Sequence, residues 1–199
     1  MSILKWISNS YQTLPLPNKQ MVAISKALKL MRNSNPALIE WLHSPIVYFK
    51  DEAFFAQLGE LAAQFYSPLK SRYHYLSISK RNLHTDFKGE RIKLKKYFYL
   101  LRAVLALRWI ETSKSMPPMA FSELVNATVK DKLVRLEIDE LLVIKGQADE
   151  SHYGARRPAI DKLVLEVIAN AEHMQFPEPA CRDSRLLDEF FRKAVLENH

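Results

Sequence analysis

The stretch LKKYFYLLRAVLALRWIE, residues 94–111, decides the fold of this chain. At 100° per residue, its apolar side chains fall on most sides of a helix. These side chains are Phe98, Leu100, Leu101, Ala103, Val104, Leu105 and Leu107. A helix that is apolar around most of its circumference is buried by its neighbours. We therefore predict a long central helix from about Arg91 to Glu111, with other helices packed around it.

The amino-acid composition also favours an all-α fold. Glycine occurs only 4 times in 199 residues, which argues against β-barrels, β-sandwiches and glycine-rich phosphate loops. With 48% hydrophobic and 26% charged residues, the chain has the balance of an ordinary globular protein, which excludes wholesale disorder. We predict an all-α, multi-helix bundle around the central helix.

Helical spacing and capping residues recur on both sides of the central stretch. Asn35-Pro36 and Ser67-Pro68 each place a capping residue before a proline at the first helical position. The predicted helices cover residues 19–32, 37–43, 51–65, 67–87, 120–127, 131–144, 158–173 and 184–197. One extended apolar run, residues 46–49, is compatible with a strand but has no evident partner.

The predicted organisation has three segments. Residues 1–18 form an extended lead-in, because Pro15 and Pro17 restrict the residues before them to extended backbone. Residues 19–175 form the helical domain. Residues 176–199 form a linker, which contains Pro177 and Pro179, and a C-terminal helix.

Cysteine usage and hydropathy bear on the compartment. The single cysteine, Cys181, cannot form a disulfide within the chain, which fits a reducing compartment. The sequence shows no secretory signal and no run of about 18 apolar residues. We therefore expect a cytoplasmic protein without membrane association. The six histidines lack the spacing of a zinc site, and we expect no metal site and no cofactor.

The positive charge of the chain is concentrated in one segment, residues 70–108, which we call the basic window. It contains eleven Lys or Arg and only two acidic residues, a net charge of +9, whereas the whole chain carries +7. The rest of the chain therefore has a net charge of −2. This concentration indicates either ordinary solvated helix faces or an anion-binding surface.

Two helix faces in the basic window carry candidate binding residues. On helix 67–87, Tyr73 and Lys80 lie beside an apolar stripe, where they either rim a cleft or snorkel into solvent. On the central helix, Lys95, Tyr99 and Arg102 share one side and Arg108 points away from it. At least one of these two arginines should lie near the interior, where it either pairs with a carboxylate or binds an anion.

Four ordered segments of the sequence resemble a known family. They are SNPALIEWLHSPIVY at residues 34–48, YHYLSISKRN at 73–82, KLKKYFYLLRAVLALRWIE at 93–111 and PPMAFSELV at 117–125. They resemble the C-terminal helical half of a predicted nucleotidyltransferase family in the DNA-polymerase-β superfamily, some members of which are linked to RNA repair. The resemblance covers about Ser25 to Leu142. One departure is Ala103, where the family tends to have a proline.

The catalytic signature of that superfamily is missing from the sequence. Its catalytic half opens with Gly-Ser and carries Asp-x-Asp, whose carboxylates hold two metal ions. The four glycines here precede Glu, Glu, Gln and Ala, and no Asp-x-Asp occurs. The resemblance therefore implies the helical half alone, without the catalytic half and without catalytic residues of its own.

The resemblance further implies that the helical half contacts nucleotide or nucleic acid. The candidate residues within the matching segments are Tyr73, Lys80, Asn82, Lys95, Lys96, Tyr99, Arg102 and Arg108. The alternative is that the shared aromatic and leucine positions are shared because they pack.

Three functions stay open on the sequence alone. The chain binds nucleotide or nucleic acid through a basic cleft; or it contributes to nucleotidyl transfer together with a separate catalytic chain; or it is a homo-oligomeric interaction module without a ligand. In none of the three do we expect the chain to be catalytic by itself.

Overall fold

The computed structural model describes residues 16–44, 51–147, 152–174, 176 and 182–196. Over these residues the chain forms nine helices and one two-stranded sheet, which confirms the all-α prediction. In order the elements are α1 (Leu16–Arg32), α2 (Pro36–Leu42), α3 (Glu52–Phe65), α4 (Pro68–Asp86), β1 (Arg91–Lys93), α5 (Leu94–Ser113), α6 (Phe121–Thr128), α7 (Lys132–Gln147), β2 (Tyr153–Ala155), α8 (Pro158–His173) and α9 (Arg185–Leu196). No helix within these ranges combines the length and the apolar composition needed to cross a bilayer.

The helix termini follow the capping chemistry of the sequence. The Asn35 side chain accepts a hydrogen bond from the backbone N–H of Leu38, and Asp51 accepts one from Phe54. The flanking helices begin and end within three residues of their predicted positions. Most of the predicted lead-in and the possible strand at residues 46–49 lie outside the described residues, and α1 begins at Leu16.

The central helix is α5, as predicted. Half of its twenty residues are buried, and they are Leu94, Tyr97, Leu100, Leu101, Ala103, Val104, Leu105, Ala106, Leu107 and Ile110. The helix ends at Ser113, and the next residue, Lys114, has a left-handed backbone (φ 50°) and donates its N–H to the Ile110 carbonyl. The buried positions surround the helix, so α5 is the core element of its part of the molecule.

The predicted start of the central helix, at Arg91, is wrong. Arg91–Lys93 form strand β1, which pairs antiparallel with β2 so that Ile92 lies opposite Gly154. Ile92 is buried while Arg91 and Lys93 are exposed, a period-two pattern too short to recognise in the sequence. Its partner strand lies about sixty residues further along the chain, which no local pattern reveals.

The chain divides into two compact units. The first unit comprises residues 1–70 and 179–199, and the second comprises residues 71–178. In the first unit, α9 packs against α1 and α3. The apolar core of this unit includes Leu28, Met31, Leu38, Leu61, Phe65, Leu187 and Phe190.

The second unit is built around α5. Its core draws side chains from α4, β1, α5, α6, α7 and α8. Aromatic pairs hold two of these contacts: Phe87 and Tyr97 meet edge to face at 4.9 Å, and Phe98 and Phe121 do so at 5.6 Å. All eight candidate binding residues belong to this unit.

Candidate functional site

The α4 candidates lie on an exposed helix face. More than half of the Tyr73 side chain is exposed, and Asn82 is half-buried. The Lys80 ammonium pairs with the Glu172 carboxylate of α8, and this hydrogen bond lowers the pKa of Glu172 below its usual range. About half of each side chain of the pair is exposed, so Lys80 can exchange its protein partner for an anionic ligand at small cost.

On α5, three candidates share one side of the helix, as predicted. The Lys95 Nζ lies 5.9 Å from the centre of the Tyr99 ring, and about half of the Tyr99 side chain is exposed. Arg102 is half-buried and donates a hydrogen bond of 2.8 Å to the Met119 carbonyl, which anchors the segment before α6. We call Lys95, Tyr99 and Arg102 the α5 surface.

Lys96 links two elements of the second unit. Its Nζ lies 3.1 Å from the Asp86 carboxylate, which joins the start of α5 to the end of α4. The Lys96 side chain is more exposed than that of Asp86. An ion pair of this kind reduces the positive charge that Lys96 presents to a ligand.

Arg108 is separated from the α5 surface. It lies about 180° around the helix from Tyr99. There it lines two clefts, one of about 720 Å³ between α7 and α8 and one of about 510 Å³ between α5 and α8. Neither cleft is lined by any of the other seven candidates. The structure therefore does not bring all eight candidates to one cleft.

The buried arginine of this unit is Arg72, which the sequence analysis missed. Arg72 is 2% exposed, its Nε lies 3.2 Å from the Glu111 carboxylate, and it donates hydrogen bonds to the carbonyls of Ala171 and Met174. Burial raises the pKa of Glu111, and the Arg72 charge opposes that rise. Arg102 and Arg108 are both half-buried, so neither has the fully interior position. Its burial could have been predicted from the sequence, because Arg72 falls on the apolar stripe of α4, one turn from Leu76.

A polar network fixes the start of α8. The Tyr97 hydroxyl accepts a hydrogen bond of 2.8 Å from the Arg157 N–H and lies 3.3 Å from the Asp161 carboxylate. Arg156 pairs with Asp161 at 2.7 Å and donates to the Phe87 carbonyl. Burial raises the pKa of Tyr97 to about 12, so the hydroxyl stays neutral at physiological pH. This network joins β2, α5 and α8.

Among the residues that the structure describes, no cluster of three or more His, Cys, Asp or Glu side chains is placed to hold a metal ion.

The chain is similar to one known protein family and to one curated protein. The sequence model of RlaP, the RNA repair pathway DNA polymerase beta family, matches residues 20–193. The uncharacterized protein YcgL of Bacillus subtilis (strain 168) is 38% identical over 141 residues, which are 71% of this chain and 54% of YcgL. The chain thus spans about half the length of the curated relative that it matches. No solved structure matches it significantly.

Proposed function

Because the chain belongs to the RNA repair pathway DNA polymerase beta family, we propose that it is the helical half of a nucleotidyltransferase-like protein and that it binds RNA. The observation that carries this proposal is the family match over residues 20–193 in a sequence without Gly-Ser or Asp-x-Asp. A sequence with the family's helical segments and without the Asp-x-Asp motif suits substrate contact rather than catalysis.

The α5 surface is the proposed RNA contact. An exposed aromatic ring beside an ammonium suits single-stranded RNA, because a base stacks on the ring while the adjacent phosphate meets the cation. Tyr99 and Lys95 have this arrangement, with 5.9 Å between the ammonium nitrogen and the ring centre. Arg102 extends the same side of α5 by two turns from Lys95.

The α4 face and Lys96 add electrostatic attraction in this proposal. Lys80 and Lys96 are each paired with a carboxylate, yet the cation of each pair remains accessible. Exposed ion pairs contribute little to stability, so phosphate oxygens can replace Glu172 or Asp86 as partners. Tyr73, more than half exposed on α4, offers a second ring for stacking. Asn82, on the same helix, offers an amide to the RNA.

The catalytic carboxylates, in this proposal, lie outside the helical half, and in one alternative a separate catalytic chain supplies them. The relative YcgL is nearly twice as long as the matched segment, which supports a second half beyond the helical one.

A homo-oligomeric module is the second candidate function, and the exposed apolar side chains Leu133, Leu136 and Val143 on α7 favour it. Light scattering separates the two, because a monomer at micromolar concentration excludes self-association of this kind.

RNA binding tests the proposal. We expect a single-stranded RNA of about 12 nucleotides to bind with a log–log salt slope of roughly −2 to −3, which corresponds to three or four phosphate contacts. Lys95→Gln should flatten the slope by about 0.7, and Tyr99→Ala should weaken binding by about 1–3 kcal/mol. Fluorescence anisotropy at several salt concentrations measures both.

The matched control is Lys132→Gln, which removes one exposed positive charge from α7, away from the α5 surface. Its RNA affinity should equal that of the wild type. If Lys95→Gln and Tyr99→Ala also bind RNA as tightly as the wild type, the α5 surface is not the contact.

A further inference from the structure

A charged groove runs along α8 in the second unit. It consists of the two adjoining clefts of about 720 and 510 Å³, which share Arg108, Leu163 and Glu166 among their lining residues. These volumes fall in the range of small-molecule sites. We call it the Arg108 groove, and it is distinct from the α5 surface.

Two acidic residues of the larger cleft cap helices. The Asp131 carboxylate accepts a hydrogen bond of 2.7 Å from the Leu133 N–H at the start of α7. The Glu137 carboxylate accepts bonds from the N–H groups of Ala159 (3.2 Å) and Ile160 (2.9 Å) at the start of α8. The N-terminus of α8 is therefore already satisfied by a protein carboxylate.

Two further acidic residues of this cleft are paired with cations. Glu140 lies 2.6 Å from an Arg157 nitrogen, and Glu166 lies 3.8 Å from the Lys162 ammonium. All four carboxylates of the larger cleft thus have a partner within the protein. In the smaller cleft, Glu111 is held by Arg72.

Two cationic side chains of the groove have no acidic partner among the described residues. Arg108 and Lys130 line the larger cleft, and in the described part of the chain neither side chain makes a hydrogen bond or an ion pair. The Arg108 residue as a whole is half-buried, and its guanidinium makes no hydrogen bond to a protein acceptor among the described residues. An anion bound there would form charge-assisted hydrogen bonds in place of the remaining water.

The groove also offers apolar surface next to these cations. Leu133 and Leu136 line the larger cleft and are 66% and 57% exposed, and Leu163 lies at the junction of the two clefts. A ligand with an apolar or aromatic body would cover these leucines.

We propose that the Arg108 groove binds a small phosphate monoester with a ring-containing body. Its phosphate, with a charge of about −1.5 to −2, matches Arg108 and Lys130, and its body packs on Leu133 and Leu136. A continuous polyanion fits less well, because Arg108 and Lys130 match the charge of one phosphate, whereas Arg157 and Lys162 in the same cleft are already paired with carboxylates. This proposal does not rest on RNA binding by the α5 surface.

Calorimetric titration of the full chain with AMP, ribose 5-phosphate, adenosine and inorganic phosphate tests it. We expect AMP to bind at least tenfold more tightly than adenosine or inorganic phosphate, because each of these provides only half of the contacts. Ribose 5-phosphate distinguishes a requirement for the base from a requirement for any ring. Arg108→Gln should weaken AMP binding about tenfold or more, since a hydrogen bond to a charged group is lost.

Lys130→Gln provides a second variant at an exposed position, where a folding defect is not expected, and it should also weaken AMP binding. Lys132→Gln, adjacent to the groove but not lining it, should bind AMP like the wild type. The proposal is overturned if neither phosphate monoester binds saturably at millimolar concentration, or if Arg108→Gln and Lys130→Gln both bind AMP like the wild type. It is also overturned if Arg108→Gln weakens RNA binding but not AMP binding. Failure of RNA binding in Lys95→Gln and Tyr99→Ala would leave these results unaffected.

Discussion

Arg72 joins three parts of the second unit through one guanidinium group. It extends from α4, pairs with Glu111 of α5 at 3.2 Å, and donates hydrogen bonds to two carbonyls at the C-terminal end of α8. Ala171 lies in the last turn of α8 and Met174 directly follows the helix, so their carbonyls lack N–H donors within the helix. A planar group with several donors satisfies the carboxylate and the carbonyls together, which a lysine would not do.

We predict that Arg72→Ala destabilises the protein by about 3–5 kcal/mol, because it leaves the Glu111 carboxylate buried without its cation. The matched control is Arg81→Ala on the exposed face of α4, which should change stability by less than about 0.5 kcal/mol. Urea denaturation followed by circular dichroism measures both free energies of unfolding.

The pH dependence of this loss has a definite sign. Burial raises the pKa of Glu111 in the folded state, and without Arg72 nothing opposes that rise. A carboxyl group with a raised folded-state pKa favours folding below its unfolded pKa and loses that contribution as the pH rises through the folded pKa. The deficit of Arg72→Ala should therefore shrink as the pH is lowered into the titration range of Glu111. A deficit that is independent of pH, or below about 1 kcal/mol, would contradict this account.

At the scale of elements, local patterns predicted the helices well and the sheet not at all. The caps at Asn35 and Asp51 and the apolar circumference of α5 are properties of neighbouring residues, which the sequence displays directly. Strand β1 exists because Ile92 pairs with Gly154. Pairing between segments so far apart depends on how α5 to α7 fold between them, which periodicity does not encode.

Helix α9 offers a matched pair of leucines for an element-scale prediction. Leu187 is 4% exposed and lies in the core of the first unit, whereas its neighbour Leu186 is 40% exposed. We expect Leu187→Ala to cost about 2–5 kcal/mol, because it removes buried methyl groups and leaves a cavity. Leu186→Ala should lower the free energy of unfolding by less than half as much. If thermal or urea unfolding shows comparable losses for the two variants, α9 does not present its Leu187 face to the core.

For the whole molecule, folding redistributes the charge of the basic window. Arg72 and Lys80 pair with Glu111 and Glu172, both of which lie outside the window, and Lys96 pairs with Asp86. The sequence showed the excess of cations but not these distant partners. The helical periodicity of the sequence indicated that Lys95 and Tyr99 share one side of α5. The sequence did not show that Arg108 lines a separate groove.

We predict that the purified chain transfers no nucleotide by itself. The reaction of the superfamily requires carboxylates that hold two metal ions, and the sequence has no Asp-x-Asp. Incubation with labelled nucleoside triphosphates, Mg²⁺ or Mn²⁺ and mixed RNAs should give no labelled product. Reproducible labelling that persists through repeated purification, and that changes in Tyr99→Ala, would refute this prediction.

The Arg72 contacts bring the two ends of the second unit close together in space. Arg72 stands at the beginning of residues 71–178, and its partners Met174 and Phe176 stand at their end, with the guanidinium 5.5 Å from the Phe176 ring. A segment whose two ends meet can be spliced into another protein, or circularly permuted, without redirecting the chain inside it. Because their two ends lie close together, residues 71–178 are suited to insertion into another protein or to circular permutation.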